Sequence, residues 1–170
     1  MNTRWFFLTV AYSGLSPKAP GTIGTLVSLP LGIAILMYFG SQTLFLASLL
    51  LTVIAIKNIN VYEQESRMHD DKRIVIDELI GMWLALSIAP GITFSYTTIL
   101  DLNNGILVQI ILSFLLFRYF DIKKPSLIGR IDRKVQGGLG VVGDDILAGF
   151  AAGISAALIW LSIVYVTQQL

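Results

Sequence analysis

Apolar positions in this chain run in long blocks, separated by short polar stretches. They do not alternate with polar residues as a half-buried strand would. A membrane-spanning helix needs about 17–25 predominantly apolar residues. Five blocks approach that length: 22–40, 42–59, 77–90, 105–120 and 145–166. Pro30 is an expected kink in the first block, and the turn between the first two is short enough to make only a hairpin. The third block is short, so it is expected to be tilted, re-entrant or extended upstream. A further apolar stretch, 5–12, runs into a Gly/Ser/Pro-rich segment without the long core or small-residue cleavage site of a secretory leader. It reads as an interfacial segment. The pattern predicts an all-α, polytopic membrane bundle of about five spans, forming one domain over 1–170.

Composition strengthens this reading. Of the 170 residues, 55% are hydrophobic and 14% charged, against about 45–50% and 25% in soluble domains. The net charge of +1 gives no reason to expect a nucleic-acid partner. The absence of cysteine excludes disulfides, thiolate nucleophiles and Cys-ligated zinc, and His69 is the one histidine.

The charges also fix an orientation. All 12 basic residues lie before the first block, at or between the second and third, or at and after the end of the fourth. With a cytoplasmic N-terminus and five alternating spans, every one of them falls on the cytoplasmic side, as the positive-inside rule requires. Ten of the 11 acidic residues fall there too, with Asp101 opposite.

Several polar residues stand at the mouths of the apolar blocks. Asp77-Glu78 opens the third block, where adjacent carboxylates are costly near hydrocarbon and invite a cation. Arg118, Asp121 and Lys124 recur at three-residue spacing, which puts them on one face if the fourth helix continues to Lys124. Lys123 beside them reads as a snorkelling surface residue. Asp132-Arg133 leads into Gly137, Gly138, Gly140 and Gly143, read as a pliant loop, and then into Asp144-Asp145 at the mouth of the fifth block. Before the first block, Gly14-Leu15-Ser16-Pro17-Lys18 and Pro20-Gly21-Thr22 form a constrained loop. There Lys18, Thr22 and Thr25 are candidates for a phosphate or head-group site, or Thr22 and Thr25 simply cap the helix. His69 is expected to be a solvated loop residue.

Asp77, Glu78, Asp121, Asp144 and Asp145 thus converge on one side. Oxygen-only ligation suits Mg²⁺, Ca²⁺ or Mn²⁺. The neighbouring cations suit a phosphorylated substrate, and the membrane suits a lipid. A channel or transporter would line a path through the bilayer with such acids, whereas here they cluster at one surface. A non-catalytic lipid-binding subunit is the other rival. The spaced Asp-Gly and Gly-Asp signature of a metal-dependent phosphatidyl transferase is absent, as are the paired histidines or Asp-x-Asp of other phosphatases.

At these residues the chain resembles the phosphatidylglycerophosphatase A family. The resemblance rests on Gly14-Leu15-Ser16-Pro17 with Pro20-Gly21-Thr22, and on Asp77-Glu78 with Gly81-Met82-Trp83. It rests equally on Phe117-Arg118 with Asp121 and Lys124-Pro125, and on Asp132-Arg133 through Gly137-Gly138 and Gly140 to Asp144-Asp145. Thr25 stands where Ser is common, and Gln136 where His is common. The resemblance implies Mg²⁺-dependent hydrolysis of phosphatidylglycerophosphate to phosphatidylglycerol at a bacterial cytoplasmic membrane. Glu78, Asp144, Asp145 and Asp77 are then expected to hold metal. Asp77 and Asp121 are candidates for ligand or base, and Asp145 is an alternative nucleophile. Arg118 and Lys124 would steady the phosphoryl charge, and Lys18, Thr22, Thr25, Arg133, Gly137 and Gly138 would contact substrate.

Overall fold

The computed structural model describes residues 3–69, 71–89 and 105–169, and these are helical with no strand among them. In chain order the elements are α1 (Thr3–Leu8), a 3₁₀ turn (Ser13–Leu15), α2 (Pro20–Ser66), α3 (Ile76–Ile88), α4 (Ile106–Lys123), α5 (Leu127–Lys134) and α6 (Gly138–Gln169). Asp101 and most of the segment expected to join the third and fourth blocks lie outside the described residues.

The 47 residues of α2 form two limbs. Gly40 breaks them with φ 83° and ψ 172°, a backbone region open essentially to glycine alone. Both limbs return to the same end of the bundle. On the first, Gly24 packs against Val75, just ahead of α3. On the second, Ile56 packs against Gly138 at the start of α6, and Tyr62 bonds Asp71. At the far end, Ser41, Gln42 and Phe45 share a groove with Ser87 near the end of α3. The hairpin read from the sequence is therefore present, with its turn at Gly40. Pro30 lies inside the first limb, where no departure from helical angles occurs.

α3 is the centre of the molecule. It is 13 residues long, about 20 Å at 1.5 Å per residue, and Ile76, Asp77 and every residue from Leu79 to Leu86 are buried. α2, α4 and α6 pack around it. The Trp83 indole fits beside Gly32 and donates a 2.9 Å hydrogen bond to the Ser28 carbonyl, tying α3 to the first limb of α2.

The closest approach is between α3 and α6. A Cβ on Gly81 would lie 2.6 Å from the Asp145 carbonyl oxygen, and one on Gly149 would lie 3.0 Å from the Gly81 carbonyl carbon. One turn further on, a Cβ on Gly153 would meet the Ala85 oxygen at 3.0 Å. Residues four apart share a helix face, so Asp77, Gly81 and Ala85 on α3 confront Asp145, Gly149 and Gly153 on α6. Small residues at this spacing let two backbones meet.

Among the described residues, two helices are long and apolar enough to cross a membrane, Pro20–Ser66 and Gly138–Gln169. One sequence expectation needs correction. The glycines before Asp144 do not form a pliant loop, because Gly138, Gly140 and Gly143 are already helical and Gly137, with φ 73°, is the turn residue. Gly138 is pressed on the Ile56 backbone and Gly140 on the Val135 carbonyl. The Asn60 side chain accepts the Gly138 N–H at 2.7 Å, which starts the helix two turns earlier than the acidic pair. Asp144 and Asp145 therefore sit within α6, not at its mouth.

Gly149→Ala tests the crossing. The added methyl must push two backbones apart, so a loss of about 1–3 kcal/mol is expected, read as a lowered melting temperature in detergent. Any chemistry that depends on Asp145 should fall with it, because Asp145 moves with the helix.

Candidate active site

The acid-bearing end of the bundle holds a cavity of about 870 Å³. Asp77 and Glu78, in the first turn of α3, enter it beside Asp145 from α6. One carboxylate oxygen from each of the three lies within 4.8 Å of the others. Burial leaves Asp77 Oδ1, Glu78 Oε2 and Asp144 Oδ1 without a hydrogen-bond partner. Buried carboxylate oxygens ordinarily have partners, and the unsatisfied oxygens of Asp77 and Glu78, in a close group with Asp145, fit a cation better than they fit the protein alone. The donors are all oxygen, which fits Mg²⁺, Ca²⁺ or Mn²⁺.

Cations line the same cavity. Arg118 on α4 pairs with Asp121 one turn later, and its Nη1 also approaches Thr25 Oγ1 at 3.4 Å. Lys124, the residue that ends α4, reaches Asp132 of α5 at 2.5 Å and Asp144 of α6 at 2.6 Å. Burial alone would favour neutral Lys124, but these two carboxylates prevail and raise its pKa above the ordinary lysine value. Helix α4 stops at Lys123, so the i, i+3 face expected if it continued to Lys124 holds for Arg118 and Asp121, while Lys124, with φ 43°, caps the helix and reaches the same cavity from beyond its end.

Thr22 also lines the cavity. Thr25 is buried behind it, donating to the Gly21 carbonyl at 2.8 Å. Gly21 leaves room for Glu78, since a Cβ there would collide with Glu78 Oε1. Lys18 and Arg133 are exposed and do not line the cavity, nor do Gly137 and Gly138, which dock α6 on the second limb of α2. Asp144 stands outside the group of three close carboxylates, engaged with Lys124. His69 is exposed at the rim, 2.7 Å from Glu63.

Reasoning from sequence missed Lys72, which lines the cavity, and the cluster that positions it. Asp71 is buried. It accepts from Tyr62 Oη at 2.5 Å, Arg73 Nη2 at 2.6 Å and Arg73 Nε at 2.9 Å. Arg73 also lies 5.0 Å over the Trp5 ring, which stacks on Tyr62. The available signal was the run Asp71-Lys72-Arg73 of alternating charge directly before an apolar block.

A buried carboxylate set facing Arg and Lys, in an apolar helical bundle, is equipment for handling phosphate esters. Known proteins agree. The model of a family described as Phosphatidylglycerophosphatase A matches residues 6–160. Phosphatidylglycerophosphatase A of Escherichia coli strain K12 is 33% identical over 156 residues, covering 91% of this chain and 83% of that protein. The Haemophilus influenzae protein of the same name is 31% identical over 142 residues, covering 84% and 79%. A Bacteroides thetaiotaomicron protein provisionally named phosphatidylinositol-3-phosphatase is 35% identical over 150 residues, with 86% of each chain covered. No solved structure matches. The chain belongs to the phosphatidylglycerophosphatase A family and is a phosphoric monoester hydrolase.

The Asp71 cluster gives a pH prediction. Hydrogen bonds from Arg73 hold the Asp71 carboxyl at about 2, below its ordinary 3.8, against the opposing effect of burial. A depressed carboxylate pKa stabilises the fold above the unfolded value and loses that contribution as pH falls through the folded one. Thermal melts should therefore drop between about pH 4 and 2 more steeply in the wild type than in Asp71→Asn, which lacks the titrating group. At pH 7 the variant should be less stable by about 1–3 kcal/mol.

Proposed function

We propose that this chain is a multi-pass enzyme of a bacterial cytoplasmic membrane that hydrolyses phosphatidylglycerophosphate to phosphatidylglycerol and inorganic phosphate, with Mg²⁺, at the cytoplasmic face. One observation carries the reading. Three carboxylates from α3 and α6 bring oxygens within 4.8 Å in the cavity that Arg118 and Lys124 also line.

The membrane part rests on exposed apolar surface. Only 22% and 28% of the most apolar stretches of α2 and α6 are buried within the chain. Leu31, Leu46, Leu50, Leu115, Leu158 and Leu161 are all exposed. Faces this large need lipid or a partner to cover them. The two limbs of α2, with α3, α4 and α6, supply five passes, and the charge bias sets the N-terminus in the cytoplasm. The short, buried α3 is then shielded from lipid by its neighbours. Cysteines introduced singly at residue 64 or 130, in this cysteine-free chain, should resist an impermeant maleimide in intact cells and react after lysis. Labelling in intact cells would refute the orientation.

In the proposed mechanism Asp77, Glu78 and Asp145 hold the divalent cation, and Asp144 extends the acid set through its unpartnered Oδ1. When bound, the cation supplies Lewis acidity to the phosphoryl group and its attacking water. Arg118 and Lys124 hold phosphoryl oxygens and oppose the charge that grows on them in a partly dry site. Asp121 orients Arg118 and, lying outside the group of three, accepts the proton of the attacking water. The water oxygen forms the new bond to phosphorus as the ester P–O bond to the lipid breaks, the leaving lipid oxygen takes a proton from bulk water, and Asp121 returns its own proton to solvent. Thr22 joins the phosphate contacts, and Thr25 acts through Arg118. Lys18 and Arg133 meet the lipid head-group region. Gly137 and Gly138 serve by letting α6 dock.

Phosphate release from phosphatidylglycerophosphate in detergent tests this directly. EDTA should abolish the rate and Mg²⁺ restore it. Asp77→Asn, Glu78→Gln and Asp145→Asn should each lower turnover at least about 100-fold while melting as cooperatively as the wild type. Near-normal turnover in the folded variants would refute the site.

A further inference from the structure

We infer that Lys72 is a specificity-determining residue that binds a second phosphate of the substrate, the diester phosphate of a lipid carrying both a diester and a monoester. This rests on the phosphatase reading above and extends it.

The cations around the cavity are not equivalent. Arg118 is committed to Asp121, and Lys124 to Asp132 and Asp144. Both are on the side of the reaction: Asp121 and Asp144 line the cavity beside the three close carboxylates. Lys72 lines the same cavity and pairs with no carboxylate among the described residues. Its immediate neighbours explain why. Asp71 is turned to the opposite side of the loop, where it is buried against Tyr62 and Arg73, and Arg73 lies over Trp5. Asp71, the acid directly before it in sequence, is therefore spent on Arg73 and leaves the Lys72 ammonium with no carboxylate partner among the described residues.

The loop is also held still. Arg73 donates its backbone N–H to Asp71 Oδ1 at 3.1 Å, Ile74 donates to the Asp71 carbonyl at 2.8 Å, and Val75 donates to Leu8 at 3.0 Å. Gly14 is pressed against the Arg73 carbonyl. A lysine on a loop with a pinned backbone, and with no carboxylate partner among the described residues, is a positive charge kept at the wall of a cavity of about 870 Å³. That volume exceeds what a single phosphate needs, since a drug-sized ligand fills about 300–1,000 Å³. An anion that reaches both the reacting centre and Lys72 must carry two separated negative groups, and a lysine acts on such a phosphate as a point charge.

The test is steady-state kinetics on phosphatidylglycerophosphate in mixed micelles, for wild type, Lys72→Ala and Lys72→Arg, with inorganic phosphate as a second probe. Lys72→Ala should raise KM about tenfold, the loss of one charge-assisted contact. Its kcat should stay within about twofold, since the lost contact is equal in ground and transition states. Inhibition by inorganic phosphate should be unchanged, and Lys72→Arg should recover most of the lost KM. Lys72 is exposed, so all three proteins should melt alike. An unchanged KM would overturn the inference. So would a fall in kcat matching the loss in kcat/KM, which would assign Lys72 to the reacting phosphate. A wild-type protein that releases no phosphate from this lipid overturns the underlying reading and the inference with it, and that result is distinct from either variant outcome.

Discussion

Helices α3 and α6 cross with almost nothing between their backbones. A Cβ on Gly149 would fall 3.0 Å from the Gly81 carbonyl carbon, and one on Gly81 would fall 2.6 Å from the Asp145 carbonyl oxygen. In the proposed membrane setting, where no hydrophobic drive acts between helices, such contact would come from packing, and small residues four apart are what permits it. The same register that aligns Gly81 with Gly149 carries Asp77 and Asp145 one turn toward the charged end. Close approach of two glycine faces is thus what brings carboxylates from separate helices within 4.8 Å. Were the helices at the usual 8–10 Å separation, the acids would face each other across a gap too wide for one small cation.

That proximity is costly unless it is used. Buried carboxylates repel one another and lose hydration, and each would be destabilising without a compensating charge. Compensation on the α4 side is visible in Arg118 with Asp121 and in Lys124 with Asp132 and Asp144. Asp77, Glu78 and Asp145 form no ion pair with a basic side chain among the described residues, and Asp77 and Glu78 each keep a buried oxygen without a hydrogen-bond partner. A divalent cation is the charge that would balance them. Lys124 also links the end of α4 to α5 and α6, so the cavity wall and the charge balance depend on one side chain.

Much of this was legible in the sequence, for identifiable reasons. The apolar blocks located the long helices, because a long unbroken apolar run is read directly from composition along the chain. The i, i+3 spacing predicted the Arg118–Asp121 face, because that periodicity is local, whereas Lys124 lies past the end of α4 and reaches the cavity as its cap. The position of Asp77 and Glu78 in the first turn of α3 was equally local. What could not be read was set by packing between distant segments. The glycines at 138, 140 and 143 look like a loop by composition, yet they are helical, and their small size serves close packing against Ile56, the Val135 carbonyl and Ile131 respectively. Lys72 gave no signal of its own. Its place follows from Asp71 being drawn away by Tyr62 and Arg73. The central, wholly enclosed position of α3 likewise depends on how α2 doubles back at Gly40.

The claim on which the account turns is that Asp77, Glu78 and Asp145 together form a cation site. Mn²⁺ is a paramagnetic oxygen-seeking stand-in, and its free concentration can be read by electron paramagnetic resonance as the purified protein is titrated in detergent without substrate. The account predicts saturable Mn²⁺ binding by the wild type, displaced by excess Mg²⁺, and lost in folded Asp145→Asn. Binding of equal affinity and stoichiometry in the two proteins would contradict it.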